Sequence, residues 1–261
     1  MTSSAEALPA PRPQLRDRDA RPGLARLTRV ELRKMTDTRS GFWLLLAVAG
    51  LMLLTVVISL LSGHAADHRF RTILSNALQP ALVLLPVVGI LLVTAEWSQR
   101  TGLVTFALVP ARLRVILAKA LAGTLLALVA VVVAVVLAAI GVAIASPPTD
   151  HVWTLPAGLL GQDALYLVLA MLTGIGFGAA LLSPAPAIVL SFALPIAVAA
   201  LGSISWLEGP AEWLDTSKAL SPLSEEVLSG RQWGQVLTAS LLWTAVPLAI
   251  GIWRIRRNEV R

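Results

Sequence analysis

The sequence contains no cysteine, and only 14% of its 261 residues are charged, against about a quarter in ordinary soluble domains. The absence of cysteine excludes a disulfide scaffold and thiol chemistry. A disordered chain is also excluded, because disorder goes with low hydrophobicity and high net charge. Hydrophobic residues make up 56% of the chain, and they fall in long uncharged runs. The sequence therefore predicts an all-α, polytopic membrane protein.

Six of these apolar runs are long enough to cross a bilayer as helices, which takes about 20 residues each. We predict spans at 41–61, 73–95, 115–145, 164–182, 185–204 and 236–253. Pro86 lies inside the second span, where a membrane helix tolerates a kink. The turn Ser183–Pro186 separates the fourth span from the fifth.

Lysine and arginine are distributed unequally among the segments that connect these spans. Seventeen of the 21 lie before the first span, between the second and third (with Lys119 just inside the third), or after the sixth. Because basic residues are enriched on the cytoplasmic side of membrane proteins, both termini are predicted to be cytoplasmic. The net charge of +6 then reflects topology, and we expect no nucleic-acid partner.

Two kinds of segment precede the first span. Residues 1–23 are rich in proline, arginine and alanine and are predicted to form a disordered cytoplasmic tail. Residues 24–37 place their arginines on one side of a helical wheel and their leucines on the other. This pattern predicts an amphipathic helix in the cytoplasmic membrane interface.

Glu31 occupies an unexpected position, the middle of the apolar side of that helix. A carboxylate there needs a partner, because burial of an unpaired charge is costly. Pairing with Lys34, or with a basic residue of a neighbouring helix, is one interpretation. Contact with a partner protein is the other.

The segment between the second and third spans, residues 96–114, is too long for a turn and too polar for a span. Leu103–Val109 could form a short helix or a re-entrant piece against the membrane. Lys119 follows Val115 by about 6 Å along a helix, so we expect its side chain to reach lipid phosphates. An ordinary basic cytoplasmic loop would explain the same features. The external segment 207–235 has mixed charge, and we expect an interfacial amphipathic piece there.

Signs of catalysis are lacking, and no catalytic residues or metal ligands are predicted. His64 and His68 have the spacing of two ligands on one helical face, but no third ligand is evident. The middles of the predicted spans contain no ionisable residue, which disfavours an ion-coupled carrier. None of the lysines follows a glycine, so the sequence has no P-loop. If this chain pumps a solute, the energy must come from another subunit.

Gly174 and Gly178 in the fourth span have the spacing that allows two helices to approach closely. Packing within the chain is favoured over a dimer interface, because the motif is common by chance in such spans.

The segment after the second span resembles that of the membrane permease subunits of ATP-binding-cassette (ABC) transporters, type-2 exporter class. In that family the second span ends in Glu, and a Gly-Thr pair, a Pro-x-Arg element and a Lys entering the third span follow. The matching residues here are Glu96, Thr101, Pro110, Arg112 and Lys119. The family glycine is replaced by Arg100, and Gly102 follows the threonine instead. Residues 24–37 are similar to the family's elbow helix, so the resemblance covers residues 24–261.

The resemblance implies that two permease subunits, identical or different, form a substrate path in the plasma membrane of a bacterium. A separate cytoplasmic ABC ATPase would bind ATP and Mg²⁺ and drive transport, and this chain would hold no cofactor and would not be an enzyme. The residues expected to couple to that ATPase are Glu31, Lys34, Glu96, Arg100, Thr101, Gly102, Pro110, Arg112, Arg114 and Lys119. A membrane scaffold or assembly protein that transports nothing is an alternative, and a self-sufficient secondary carrier is another.

Overall fold

A computed structural model describes residues 23–62, 68–98, 112–145, 151–156, 158–202, 204 and 208–257, except for the side chains of residues 98, 112, 208 and 256. The elements in these ranges are all helical. They are α1 (Leu24–Asp37), α2 (Arg39–Ser62), α3 (Phe70–Ser98), α4 (Arg112–Ala145), α5 (Leu159–Leu181), α6 (Pro184–Leu201), α7 (Glu208–Leu214), α8 (Thr216–Leu220), α9 (Gly230–Ser240) and α10 (Val246–Arg257). A 3₁₀ turn (Ser221–Ser224) follows α8, and a π-helical turn (Leu241–Ala245) joins α9 to α10.

Within the described ranges, six helical stretches are long and apolar enough to cross a membrane: α2, α3, α4, α5, α6, and α9 continued by α10. The six predicted spans are therefore confirmed, and the chain has the architecture of a multi-pass membrane protein. Large apolar side chains are exposed along α2, α4 and α6, as expected for surfaces that face hydrocarbon.

Several helices extend beyond the predicted spans, because polar residues that are typical of loops continue the helices. The fourth span begins at Leu159, so it includes Gln162 and Asp163. Of the predicted loop 96–114, residues 96–98 belong to α3 and residues 112–114 belong to α4. Residues 99–111 lie outside the described ranges. The external segment 207–235 contributes α7, α8 and the start of the sixth span. The predicted disordered tail lies outside the described ranges, except for Gly23.

Helix α5 packs closely along α3, and glycine makes the contact possible. A Cβ on Gly174 would clash with the carbonyl oxygen of Pro86 on α3, and a Cβ on Gly178 would lie 3.1 Å from the Cα atom of Ile90. In return, a Cβ on Gly89 of α3 would lie 2.6 Å from the carbonyl oxygen of Met171. Gly174 and Gly178 therefore lie at a contact within the chain. The residue numbers rise together along both helices, so α3 and α5 run parallel.

The last helix, α10, also runs parallel to α5. Gly176 of α5 lies against Leu248, and Gly251 of α10 lies against Ala179, one turn further along both helices. Arg254 then donates a hydrogen bond from Nη1 to the carbonyl oxygen of Ala180, at 2.7 Å. The C-terminal ends of α3, α5 and α10 thus lie at one end of the bundle, together with α1 and the start of α4. We call this the α1 end, and the other end the Arg71 end.

Candidate functional site

Four charged side chains from three helices meet at the α1 end, and we call them the ion cluster: Glu31, Lys34, Glu96 and Lys119. Glu31 and Lys34 are three residues apart on α1, so they lie on neighbouring positions of one helical face. Glu96 lies in the last turn of α3, and Lys119 lies in the third turn of α4. The cluster forms because the C-terminal end of α3 and the N-terminal end of α4 lie at the same end of the bundle, and α1 packs against both.

Each cation of the ion cluster contacts both carboxylates. Lys34 Nζ lies 2.8 Å from Glu31 Oε1 and 2.6 Å from Glu96 Oε1. Lys119 Nζ lies 2.7 Å from Glu31 Oε2 and 3.2 Å from Glu96 Oε1. Lys119 also donates a hydrogen bond to the carbonyl oxygen of Leu92, at 3.2 Å. The result is a closed ring of alternating charge that joins α1, α3 and α4.

Three of the four side chains in the ion cluster are buried. The side chains of Glu31, Glu96 and Lys119 are only 5%, 8% and 4% exposed, whereas that of Lys34 is 38% exposed. Two carboxylates face two ammonium groups, so the cluster is neutral as a whole. Burial of ions is costly, and a buried pair is retained only when its charges and hydrogen bonds are matched. Removal of one member would leave an uncompensated charge inside the protein.

Lys34 is the one member of the cluster at the protein surface. Burial alone would lower the pKa of Lys34, but hydrogen bonds to Glu31 and Glu96 outweigh this and raise its pKa above the ordinary value of 10.5. Lys34 is therefore protonated throughout the physiological pH range, and its charge contributes to the cluster under all such conditions.

The structure corrects the expected role of Lys119. Its side chain does not extend to the membrane surface, because both carboxylates of the ion cluster and the Leu92 carbonyl group hold it inside the bundle. The same contacts explain Glu31. Its partners are both Lys34 on its own helix and Lys119 on a neighbouring helix, the first of the two interpretations.

The other predicted coupling residues are only partly described. Arg114 is exposed near the start of α4. Arg112 begins α4, but its side chain lies outside the description. Four further residues of the predicted set lie outside the described ranges altogether: Arg100, Thr101, Gly102 and Pro110. The ion cluster brings together the predicted residues that flank this segment.

A second group of buried polar contacts lies at the Arg71 end and was not predicted. Arg71 at the start of α3 donates to both carboxylate oxygens of Asp163, from Nη1 at 2.6 Å and from Nη2 at 3.4 Å. Arg71 Nη2 also donates to the carbonyl oxygen of Ser224. Asp163 is buried, with 1% of its surface exposed. The pair therefore joins α3, α5 and the 3₁₀ turn.

Gln162 completes this second group, which we call the Arg71 network: Arg71, Gln162 and Asp163. The amide nitrogen of Gln162 donates to the carbonyl oxygens of Leu223 at 3.2 Å and Glu226 at 2.7 Å. Its amide oxygen accepts from the backbone N–H of Leu228, at 3.2 Å. One buried side chain thus satisfies three backbone groups of an irregular segment, which would otherwise be costly to bury.

A hydroxyl pair lies between the two ends. Thr173 of α5 and Thr244 of the π-helical turn are 2.7 Å apart at their hydroxyl oxygens. Pro247 follows this turn and lacks the N–H that an α-helix would use at that position, which favours the wider turn. In the same turn, Trp243 Nε1 donates to the carbonyl oxygen of Leu214, at 2.7 Å. The π-helical turn therefore holds α7 against the sixth span.

Within the part of the chain that the structure describes, no group of three or more His, Cys, Asp or Glu residues is placed to hold a metal ion. His64, one of the two histidines considered from the sequence, lies outside that part. No protein-family model matches this sequence, and no curated protein matches it at a significant level.

Proposed function

We propose that this chain is a permease subunit of an ABC transporter of the type-2 exporter class, driven by a separate ATPase subunit. The observation that supports this most directly is the ion cluster. It joins α1 to the two helices that flank residues 99–111, the segment whose sequence resembles the ATPase-docking segment of that family. A partner that displaced this segment would therefore act on α1, α3 and α4 together.

The proposed orientation in the membrane comes from charge. Seventeen of the 21 basic residues fall in segments that the topology assigns to one side, and basic residues favour the cytoplasm. We therefore place the α1 end in the cytoplasm of a bacterial cell and the Arg71 end outside. In this orientation, α1 lies where an ATP-hydrolysing partner could reach it. A second permease subunit, identical or different, would complete the substrate path.

The energy source is part of the proposal. The sequence contains no P-loop, and the charged groups of the ion cluster pair with one another. ATP hydrolysis in a partner subunit supplies the work, and the α1 end receives it. Charged side chains suit such an interface, because they set register and allow reversible contact.

The test is to co-express the chain with candidate ABC ATPases of the same organism and to follow hydrogen exchange after ATP and vanadate are added. We expect a stable complex in which trapping the ATPase changes exchange in α1 and in the adjoining ends of α3 and α4. In Glu96→Gln, the complex should form but the change should remain within the ATPase. The exposed Arg231→Gln at the other end serves as a control and should behave as wild type.

Two outcomes would overturn the proposal. Complex formation without any nucleotide-dependent change in this chain would favour a scaffold or assembly role. Gradient-driven solute uptake by the purified chain alone, in vesicles without the ATPase, would favour a secondary carrier. Normal coupling in Glu96→Gln would overturn the role given to the ion cluster while leaving the permease assignment intact.

A further inference from the structure

Three arginines form an exposed basic face on α1: Arg26, Arg29 and Arg33. At 100° per residue they lie within about 60° of one another on the helix surface. Within the part of the chain that the structure describes, none of them forms an ion pair. Asp37 is exposed on the same face, four residues after Arg33, so three arginines and one aspartate leave this face of α1 with a net charge of +2.

The opposite face of α1 fixes the direction in which these arginines point. Thr28, Glu31 and Met35 are buried against the bundle. Glu31 is in addition bonded to Lys119 of α4 through the ion cluster, at 2.7 Å. Rotation of α1 about its own axis would break this buried ion pair. The arginine face is therefore held away from the bundle, toward whatever lies outside the protein.

Helix α1 lies close to the start of the first span. Only Thr38 separates α1 from α2, and its hydroxyl oxygen accepts from the backbone N–H of Gly41 at the turn. In the first turns of α2, Phe42 and Trp43 are 52% and 62% exposed. At the same end of the bundle, the guanidinium of Arg257 lies 4.6 Å from the ring centre of the exposed Trp253. Exposed aromatic rings at span ends are typical of the headgroup level of a bilayer.

We propose that the basic face of α1 binds the headgroups of anionic phospholipids. The negative charge of such a membrane surface matches the three arginines, and the proximity of α1 to exposed interfacial rings places them at headgroup depth. Val30, which is exposed beside the arginines, would enter the acyl boundary as amphipathic helices do. A basic residue near an anionic surface strengthens binding by roughly fivefold, so three together give on the order of a hundredfold.

The proposal can be tested without any assumption about transport. The full-length chain, purified in detergent and stripped of lipid, is mixed with equal amounts of phosphatidylglycerol and phosphatidylcholine. Native mass spectrometry then gives the ratio of the two lipids bound. We expect a clear preference for phosphatidylglycerol that weakens with added salt. In the triple variant R26Q/R29Q/R33Q this preference should fall by roughly tenfold or more.

The matched control removes the same charge from the other end of the bundle. Arg69, Lys218 and Arg231 are exposed there, and R69Q/K218Q/R231Q should keep the preference of the wild type. Thermal unfolding checks that both variants fold. An equal loss in the control, no preference in the wild type, or full preference in R26Q/R29Q/R33Q would overturn the proposal. Unchanged lipid binding with weakened binding of the P-loop ATPase would show that the face docks on protein instead.

Discussion

The buried charged and polar side chains at the two ends of α3 have different kinds of hydrogen-bond partner. At the α1 end, Glu96 joins a ring of charged side chains contributed by α1, α3 and α4. At the Arg71 end, Arg71 donates twice to the carboxylate of Asp163 and once to the Ser224 carbonyl group, and Gln162 bonds three backbone groups of residues 223–228. The first arrangement joins helix to helix. The second joins α3 and α5 to each other and also to an irregular segment.

The difference indicates what each end can do. Ion pairs between side chains can break and re-form with a new partner while each helix keeps its own backbone hydrogen bonds. Bonds from a side chain to a backbone carbonyl fix the path of a segment that has few hydrogen bonds of its own. The α1 end is thus suited to relative motion of helices, and the Arg71 end is suited to holding one conformation of the segment after α8.

The largest effect should follow from Lys119→Met. It removes one of the two cations that contact both buried carboxylates, and the loss of one partner from a buried ion pair costs about 3–5 kcal/mol. We expect the free energy of unfolding, measured by denaturant titration in detergent, to fall by that amount. Leu117→Met on the exposed face of the same helix should change it by less than about 0.5 kcal/mol. Equal values for the two variants would show that Lys119 is not part of a buried ion pair.

Charge exchange should separate the two ends. Glu31→Lys combined with Lys119→Glu places a lysine at position 31 beside Lys34 and a glutamate at position 119 beside Glu96, so the double variant should regain little of the stability that each single variant loses. Arg71→Asp combined with Asp163→Arg exchanges the two members of a simple pair and should regain more, although it loses the hydrogen bond to the Ser224 carbonyl group. Thermal unfolding of the six variants and the wild type gives both comparisons. Equal recovery at the two ends would show that the alternation of charge in the ion cluster does not matter.

A more local effect is expected for Gln162→Leu. The substitution leaves three backbone groups of residues 223–228 without their partner, at a cost of about 1–3 kcal/mol. Amide hydrogen exchange in this segment should rise by roughly tenfold or more, whereas exchange in α1 should stay unchanged. A uniform rise over the whole chain would mean that Gln162 supports the entire bundle rather than one segment.

The smallest effect concerns pH. Because the pKa of Lys34 is raised in the folded protein, its contribution to stability is complete below the ordinary value of 10.5 and is lost as the pH rises through the folded pKa. The difference in unfolding temperature between the wild type and Lys34→Gln should therefore shrink as the pH rises above 10.5. Both proteins retain Lys119, Glu31 and Glu96, so their difference isolates Lys34. A difference that stays constant up to pH 12 would contradict the raised pKa.

The helices of this protein were predictable because uncharged runs of this length have few alternatives. Helix α1 begins and ends where the amphipathic pattern begins and ends, at Leu24 and Asp37. The pattern was clear because the polar and apolar faces of α1 differ sharply. The partner of Glu31 could be anticipated as a cation because the helical wheel put a carboxylate on the buried side. Which lysine would serve was not predictable, since Lys119 is 88 residues away along the chain.

The Arg71 network escaped prediction for a related reason. Gln162 and Asp163 look like loop residues when they are judged by hydropathy, yet their partners make them part of a buried helix. The sequence holds one signal that could have found them: Arg71 and Asp163 both lie next to predicted spans and at the same predicted side. The bonds of Gln162 to backbone atoms have no signature in sequence at all, because any residue can supply a carbonyl oxygen.

The glycine contact between α3 and α5 restricts where a solute could travel. At Gly174 the two backbones approach so closely that a single methyl group would meet the Pro86 carbonyl oxygen. Side chains can swing aside for a passing molecule, but here the obstacle is main chain on both sides. If the chain acts as the proposed permease, its substrate therefore cannot pass between α3 and α5 at the level of Gly174.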